Sequence, residues 1–132
     1  MHAIYVTDAN LQYNGSITLD PVYCQEASIY PLEFVEIWNK NNGARFSTYV
    51  IYGEAGSRDC ILNGSAARQC QQNDQIIIAA YYFGEPKDLL NSSPKILTFN
   101  PDNSLNELSE YYVSKPKDEW YQLSIIKQNN IL

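Results

Sequence analysis

LQYNGSITLDPV, residues 11–22, has Asn14, Gly15 and Ser16 at its centre, between two stretches that favour β-strands. Asn-Gly in that setting is the strongest short-range signal for a hairpin, because a type I′ turn needs positive φ at both central residues. The same tripeptide permits a different chemistry, since a serine hydroxyl next to a glycine carbonyl can attack it where the turn is strained. The segment therefore predicts either a plain hairpin or a bond that the protein cuts in itself.

Length and charge limit the kinds of protein to consider. The chain has 132 residues, about one domain, and its formal charge of -6 gives no basic stripe for a phosphate backbone or an anionic membrane surface. No segment is apolar enough to span a bilayer and no signal peptide is recognisable, so a cytoplasmic location is expected. Nucleic acid and membrane are not expected partners.

The cysteines and the single histidine point away from a disulfide framework or a zinc site. Cys24, Cys60 and Cys70 are odd in number and lack CxxC spacing, and His2 is the only histidine. We therefore expect reduced thiols and no bound metal.

Short apolar stretches such as SITL, FVEIW and QIIIAAYYF, separated by turn residues, predict a small, mostly β protein, with a closed barrel favoured over a sandwich. One helix is predicted to begin at Asp20-Pro21, where aspartate can cap and proline fits the first turn, and to end before Pro31. From Pro101 onward the sequence becomes polar and charged. We expect a self-contained barrel over residues 1–103, a turn at 101–103, and a peripheral segment over 104–132 that is helical or loose.

Self-cleavage at Gly15-Ser16 would create a reactive group. Attack of the Ser16 hydroxyl on the Gly15 carbonyl replaces the amide by an ester, and elimination followed by hydrolysis leaves a pyruvoyl group at the new N-terminus. Its ketone can form a Schiff base with a substrate amine and accept the electrons left when carbon dioxide departs.

Four blocks of sequence together resemble the pyruvoyl-dependent aspartate 1-decarboxylases. They are VTDANLQYNGSITLD (6–20), IWNKNNGARFSTYVIYGEAGSR (37–58), LNGSAAR (62–68) and NDQIIIAAYYF (73–83). Their order and spacing cover roughly the first hundred residues in register. The resemblance implies a six-stranded double-psi β-barrel with short helices, assembled as a homotetramer, which makes β-alanine from L-aspartate for pantothenate. Whether a maturation factor assists cleavage is left open.

The resemblance also implies roles for individual residues. Gly15 and Ser16 match the cleaved bond, with Ser16 becoming the pyruvoyl group. Thr48 matches a threonine that assists cleavage and contacts substrate, and Tyr49 matches the proton donor. A substrate carboxylate would be bound by Arg45, and the remaining substrate contacts come from a loop matched by Gly64, Ser65 and Ala66.

General chemistry agrees with the roles of Arg45 and Tyr49. A guanidinium is a planar, permanently charged fork suited to a carboxylate, and a fixed phenol can protonate carbon after decarboxylation. Alternation along a strand, however, puts Arg45 and Tyr49 on one face and Thr48 on the other. Either the strand twists or bulges, or the site lies between subunits, and we favour the second.

The chain departs from the family at its first strand. Family members carry Lys-x-His-Arg there, whereas here His2 matches the histidine, Ala3 replaces the arginine, and the lysine has no counterpart. Either the true start lies upstream or the first strand is altered. Two alternatives follow: a pyruvoyl decarboxylase with another substrate preference, and an uncleaved barrel that serves as a binding or assembly module. The second NGS, residues 63–65, is predicted to stay uncut because nothing matches the Thr48 role there.

Overall fold

The computed structural model describes residues 1–129, most of which lie in β-strands or the turns between them. One α-helix, α1 (Pro21–Ala27), and two short 3₁₀ helices, Gly64–Arg68 and Pro86–Asn91, interrupt the strands. Within residues 1–129, no helix is long and apolar enough to cross a membrane. The strands are β1 (Ile4–Tyr5), β2 (Asp8–Asn10), β3 (Ser16–Leu19), β4 (Phe34–Asn39), β5 (Arg45–Tyr52), β6 (Cys60–Asn63), β7 (Gln75–Ala80), β8 (Lys95–Phe99), β9 (Leu105–Ser114) and β10 (Gln122–Asn129).

Seven of these strands form one curled sheet in the order β1-β7-β4-β5-β3-β6-β2. The two strands at the ends of this order, β1 and β2, belong to a single segment, residues 4–10. Between them the Val6 amide donates to the Asp74 carbonyl and the Thr7 amide donates to the Cys60 carbonyl, each at 2.8 Å. The segment thus passes from β7 to β6, which brings the two edges of the sheet together as six strands of a barrel.

Two pairs of strands that are consecutive along the chain are each separated in the sheet by a third strand. β2 and β3 are consecutive along the chain but lie on either side of β6, and β5 and β6 lie on either side of β3. This arrangement is consistent with a double-psi β-barrel and confirms the mostly β class predicted from the sequence.

The plain-hairpin interpretation of Asn14-Gly15 is wrong. Because β2 and β3 are separated by β6, the connection crosses the end of that strand instead of turning directly back. The glycines with positive φ are Gly43, Gly56 and Gly64, so Gly15 does not have the conformation that a type I′ turn requires.

Side-chain alternation along β3 separates the core from the outer face. Ile17 and Leu19 point inward and are almost completely buried, together with Val50 of β5 and Leu62 of β6. Burial of each such side chain stabilises the fold by about 1.5–3 kcal/mol. Ser16 therefore lies on the outer face of the barrel, although it is only 1% exposed.

The predicted helix is confirmed and fixes the end of β3. Asp20 caps α1 by accepting a hydrogen bond from the Val22 amide at 2.9 Å, and the helix ends at Ala27, with Ser28 as its C-cap, before Pro31. The buried Asp20 carboxylate also accepts from the backbone amides of Gly56 and Arg58, at 3.1 and 2.8 Å. One side chain thus ties β3, α1 and the loop after β5 together.

The expectation of a helix or loose segment after residue 103 is wrong for most of its length. The predicted turn is present, with the Asn103 amide donating to the Asn100 carbonyl, but β8, β9 and β10 then form an antiparallel three-stranded sheet. Leu105 and Leu108 are buried in the same cluster as the barrel core, which favours a strand despite the charged positions between them. Residues 130–132 lie outside the described residues, and the domain boundary at 103 stays a prediction.

Candidate active site

Ser16 is the first residue of β3 and is only 1% exposed. Its hydroxyl donates to the Asn14 carbonyl at 3.4 Å, and its oxygen accepts from Nδ2 of Asn63 at 2.9 Å. Ser16 and Asn63 are direct partners in the antiparallel pair of β3 and β6. The hydroxyl beside the Gly15-Ser16 bond is therefore held from the preceding loop and from the neighbouring strand.

Asn63 and Thr18 belong to this site but were missed by sequence reasoning, which singled out only the three residues after Asn63. Asn63 is 3% exposed, and Nδ2 donates to Oγ1 of Thr18 as well as to Ser16, both at 2.9 Å. The sequence separations are 45 and 47 residues, so only the pairing of β3 with β6 creates these contacts. The one sequence signal was that Asn63 begins a second copy of NGS.

Gly64 supports the loop that carries the bond. It has φ +63°, and a Cβ added there would lie 2.7 Å from Cα and 2.8 Å from N of Gly15, and 3.0 Å from the Tyr13 carbonyl oxygen. A Cβ added to Gly15, by contrast, would meet nothing within 4 Å. The bond thus rests on Gly64 on one side, while the space beside the Gly15 Cα is open.

The rest of the predicted substrate loop forms the 3₁₀ helix Gly64–Arg68. Ser65 is exposed, whereas Gly64 and Ala66 are buried. The predicted substrate contacts of these three residues stay predictions, and the geometry adds a packing role for Gly64.

Tyr49 lies next to Ser16 on the neighbouring strand. The parallel pair of β3 and β5 matches Ile17 with Val50, so continuing that register back by one position puts Ser16 level with Tyr49. The pairing of β4 with β5 runs without a shift from Phe34–Tyr49 to Trp38–Arg45. Alternation along β5 is therefore regular, as the sequence indicated.

Thr48 faces the opposite side of β5 from Tyr49 and is buried, at 9% exposure. In this structure the Ser16 hydroxyl is hydrogen-bonded to Asn14 and Asn63, and not to Thr48. The role of Thr48 in cleavage stays a prediction.

Arg45 begins β5 and is exposed, with its guanidinium carbon 4.9 Å from the centre of the Trp38 ring. It lies four positions before Tyr49 along the strand, a distance of about 13 Å. The stacking on Trp38 holds the cation on the outer face. Within one chain, the strand register thus places Arg45 about 13 Å along β5 from the level of Ser16.

The three cysteines are free and buried. Burial raises the pKa of the Cys24 thiol to about 12 and that of Cys70 to about 11, and it raises the pKa of Cys60 as well. Thiols with such pKa values stay protonated and unreactive near neutral pH. Among the described residues, no group of three His, Cys, Asp or Glu side chains is placed to hold a metal ion.

The sequence of this chain matches those of known proteins. The aspartate decarboxylase family model matches residues 1–106. An aspartate 1-decarboxylase from Methylobacterium nodulans is 54% identical over 131 residues, which span 99% of this chain and 86% of the relative. An aspartate 1-decarboxylase from Rhodospirillum centenum is 57% identical over 118 residues, 89% of this chain and 78% of the relative. Aspartate 1-decarboxylase 2 from Mesorhizobium japonicum is 53% identical over 128 residues, 97% and 85% of the two chains.

These matches cover the barrel, the loop with Gly15-Ser16 and its supporting strand β6, and the matches to all three relatives extend into the C-terminal sheet. A family match over residues 1–106 and identities above 50% across most of both chains leave one assignment. The chain belongs to the aspartate decarboxylase family.

Proposed function

We propose that this protein is an L-aspartate 1-decarboxylase that forms β-alanine and carbon dioxide, with a pyruvoyl group made from Ser16 by self-cleavage after Gly15. The product would feed the synthesis of pantothenate and coenzyme A. The observation that carries this proposal is the buried Ser16 hydroxyl, which sits beside its own peptide bond and accepts a hydrogen bond from Asn63 at 2.9 Å. Family membership supplies the substrate.

Self-cleavage uses atoms that the chain itself supplies. Oγ of Ser16 forms a bond to the Gly15 carbonyl carbon, the C–N bond breaks, and the hydroxyl proton passes to the nitrogen, which gives an ester. Removal of the Ser16 Cα proton and breakage of the Cβ–Oγ bond then release residues 1–15 with a C-terminal carboxylate. Water replaces the nitrogen, which leaves as ammonia, and the pyruvoyl group remains on the chain that begins at residue 16.

Asn63 assists in two ways. Its N–H orients Oγ of Ser16 next to the bond, and it stabilises the negative charge that develops on that oxygen when Cβ–Oγ breaks. The open space beside Gly15 leaves that residue free to distort during attack, because no Cβ or neighbouring atom restricts it there.

The surroundings of Ser16 fit a pyruvoyl group. The position is shielded from water at 1% exposure, and the Asn63 carboxamide lies within hydrogen-bonding distance of the atoms from which the group would form. Once present, the group supplies a ketone that takes up the electron pair left when carbon dioxide departs.

Four further parts of the chain would act on the substrate. Arg45 would bind the carboxylate that is retained, and Tyr49, level with Ser16 on β5, would hold the proton that is delivered to carbon. The residues of the Gly64–Ala66 turn, with Thr48, would complete the substrate contacts.

The 13 Å along β5 between Arg45 and Tyr49 supports a site shared between subunits of a homotetramer. The outer surface also carries large exposed apolar side chains, as expected where subunits meet. They include Tyr30, Leu32, Phe34, Tyr82 and Phe83. We place the reaction in the cytoplasm, because three free, buried cysteines are typical of a reducing compartment.

Intact-mass analysis of wild type, Ser16→Ala and Ser65→Ala tests the proposal. Wild type and Ser65→Ala should each give residues 1–15 and a chain from residue 16 with a pyruvoyl mass, whereas Ser16→Ala should stay whole. Cleaved wild type should form β-alanine from L-aspartate, and Ser16→Ala should not. The product is detected by mass spectrometry. A wild type that stays uncut, or a Ser16→Ala protein that forms β-alanine, would refute it. Sedimentation of the wild type should give the mass of four chains.

A further inference from the structure

The carboxamide of Asn63 bridges two hydroxyl groups of β3. Nδ2 donates to Oγ of Ser16 and to Oγ1 of Thr18, each at 2.9 Å, so the two hydrogens of one NH₂ group serve two acceptors. We propose that Thr18 is a positioning residue for self-cleavage, whose oxygen fixes the Asn63 carboxamide with an N–H directed at Ser16. This inference rests on the proposed cleavage at Gly15-Ser16.

Strand geometry puts the three side chains together. Ser16 and Thr18 are two residues apart on β3 and share its outer face, while Ile17 between them points into the core. Asn63 is paired with Ser16 in register on β6, so its side chain lies over the same face. The carboxamide can reach both hydroxyls without leaving its own strand.

Thr18 is itself held in one orientation. A Cβ added to Gly53 would lie 3.0 Å from Cγ2 of Thr18, so the threonine methyl fills the space beside that glycine. Gly53 is fixed in turn, because its amide donates to the Leu19 carbonyl at 2.9 Å. A β-branched side chain has few χ1 choices, and with its methyl against Gly53 its oxygen faces Asn63.

The orientation of the carboxamide matters for the chemistry. The Ser16 hydroxyl proton is directed to the Asn14 carbonyl, which leaves its oxygen as the acceptor for Asn63. A carboxamide turned by 180° would present Oδ1 to Ser16, and an oxygen cannot stabilise the charge that develops on Oγ as Cβ–Oγ breaks. Without the Thr18 oxygen, one N–H loses its acceptor and the turned orientation becomes more populated.

Thr18→Val tests the proposal because valine keeps the shape of threonine and removes the acceptor. Loss of one hydrogen bond from the orienting pair should slow cleavage about three- to tenfold. Thr18→Ser keeps the oxygen and should cleave within about twofold of wild type. The matched control is Thr98→Val, which removes an equivalent bond from Asn106 Nδ2 to Thr98 Oγ1, 3.2 Å long, in the C-terminal sheet and should cleave at the wild-type rate.

Cleavage is followed by intact mass over time on freshly purified protein, with thermal melting of each variant to compare folding. If Thr18→Val is poorly folded, Thr18→Ala removes the same oxygen with a smaller side chain and should show the same slowing. Cleavage of these variants at the wild-type rate overturns the proposal. Slowing by Thr18→Ser equal to that by Thr18→Val also overturns it, because the oxygen would then not be the group that matters.

A double-mutant comparison separates positioning from a general structural effect. If Thr18 acts through Asn63, Thr18→Val should slow cleavage no further in an Asn63→Ala background. The same fold-change in both backgrounds would show that Thr18 acts by another route. An uncut wild type would remove the proposed function and this inference with it, whereas a cut wild type with an unaffected Thr18→Val removes the positioning role alone.

Discussion

Gly64→Ala should greatly lower the rate of self-cleavage and should lower the free energy of unfolding only moderately. The new Cβ would lie 2.7 Å from Cα and 2.8 Å from N of Gly15. Both are backbone atoms, so no side-chain rotation relieves the contact. Since carbon atoms pack at about 3.5 Å or more, the backbone carrying the scissile bond must move by roughly 0.8 Å. A displacement approaching 1 Å can slow a reaction about 100-fold, and we expect a loss of that order here.

The cost to stability should be smaller and can be worked out separately. Alanine in the left-handed conformation of Gly64, φ +63°, costs about 1–2 kcal/mol, and displacement of the loop adds about 1 kcal/mol. Gly56→Ala is the matched control, because Gly56 also has a left-handed φ, +81°, and a Cβ there meets nothing within 4 Å. It should show the first cost without the second, and it should cleave like wild type.

The assay is the time course of cleavage by intact mass, with urea denaturation of the same samples. If Gly64→Ala were cleaved within about threefold of the Gly56→Ala rate, a gap far short of the roughly 100-fold expected from displacement, the packing of Gly64 against Gly15 would not hold the bond in place. Faster cleavage would refute the reasoning as well, because it would mean that added strain at this contact promotes the reaction.

The remaining predictions concern the residues around the bond and a buried thiol. Tyr49→Phe should leave cleavage unchanged but lower kcat about 100-fold, since only the proton donor is lost; uncut Tyr49→Phe protein would assign it to processing instead. Thr48→Val should slow cleavage, and the rate equalling that of wild type would remove Thr48 from that step. Arg45→Ala should raise KM for aspartate more than it lowers kcat, with partial recovery in Arg45→Lys, and a pure kcat effect would count against carboxylate binding. Burial raises the pKa of the Cys24 thiol to about 12 in the folded state. As pH rises above the ordinary thiol pKa, the thiol ionises in the unfolded state first, so the free energy of unfolding falls until the pH reaches the folded-state pKa. From pH 8 to 10, urea denaturation should therefore show a loss of stability that is roughly 1.5 kcal/mol smaller in Cys24→Ala than in wild type, and equal losses would contradict it.

Local sequence patterns predicted the strands well because apolar stretches bounded by turn residues leave few alternatives. The segments around SITL, FVEIW and QIIIAA are strands, and Asp20-Pro21 begins the helix as expected. The same local logic failed at Asn14-Gly15. A hairpin signal assumes that the flanking strands pair with each other, and here β6, whose sequence lies some 45 residues further on, comes between them.

The C-terminal error has a related cause. LNELSEYYVS looks polar, and its charges suggested a peripheral helix or a loose tail, but β8 and β10 on either side supply the hydrogen bonds that make it a strand. Its charged positions are used across the sheet, as in the 3.3 Å ion pair between Glu107 and Lys127. Strand preference depends on such neighbours, which a single segment does not reveal.

The candidate site was predicted from resemblance, and the residues that resemblance did not supply are those defined by strand pairing. Ser16 and Tyr49 could be named because their motifs are local. Thr18 looked like an ordinary strand residue, and Asn63 like the start of a turn, until β3 and β6 were seen side by side. Periodicity does predict which face each side chain occupies, and the burial of Thr48 opposite Tyr49 follows from it.

The two copies of NGS show how one tripeptide can take two parts in the same reaction. In the first copy Ser16 begins a strand with its hydroxyl beside the preceding bond, and Gly15 has open space on the side where a Cβ would lie. In the second, Asn63 supplies the hydrogen bond, Gly64 closes on Gly15, and Ser65 is exposed at the start of a 3₁₀ helix. Because the second copy forms the surface on which the first rests, cutting it would release the support that the reaction needs. The two identical tripeptides therefore need not be equally reactive. Reactivity depends on which glycine has free space beside its Cα and which serine hydroxyl is fixed by hydrogen bonds.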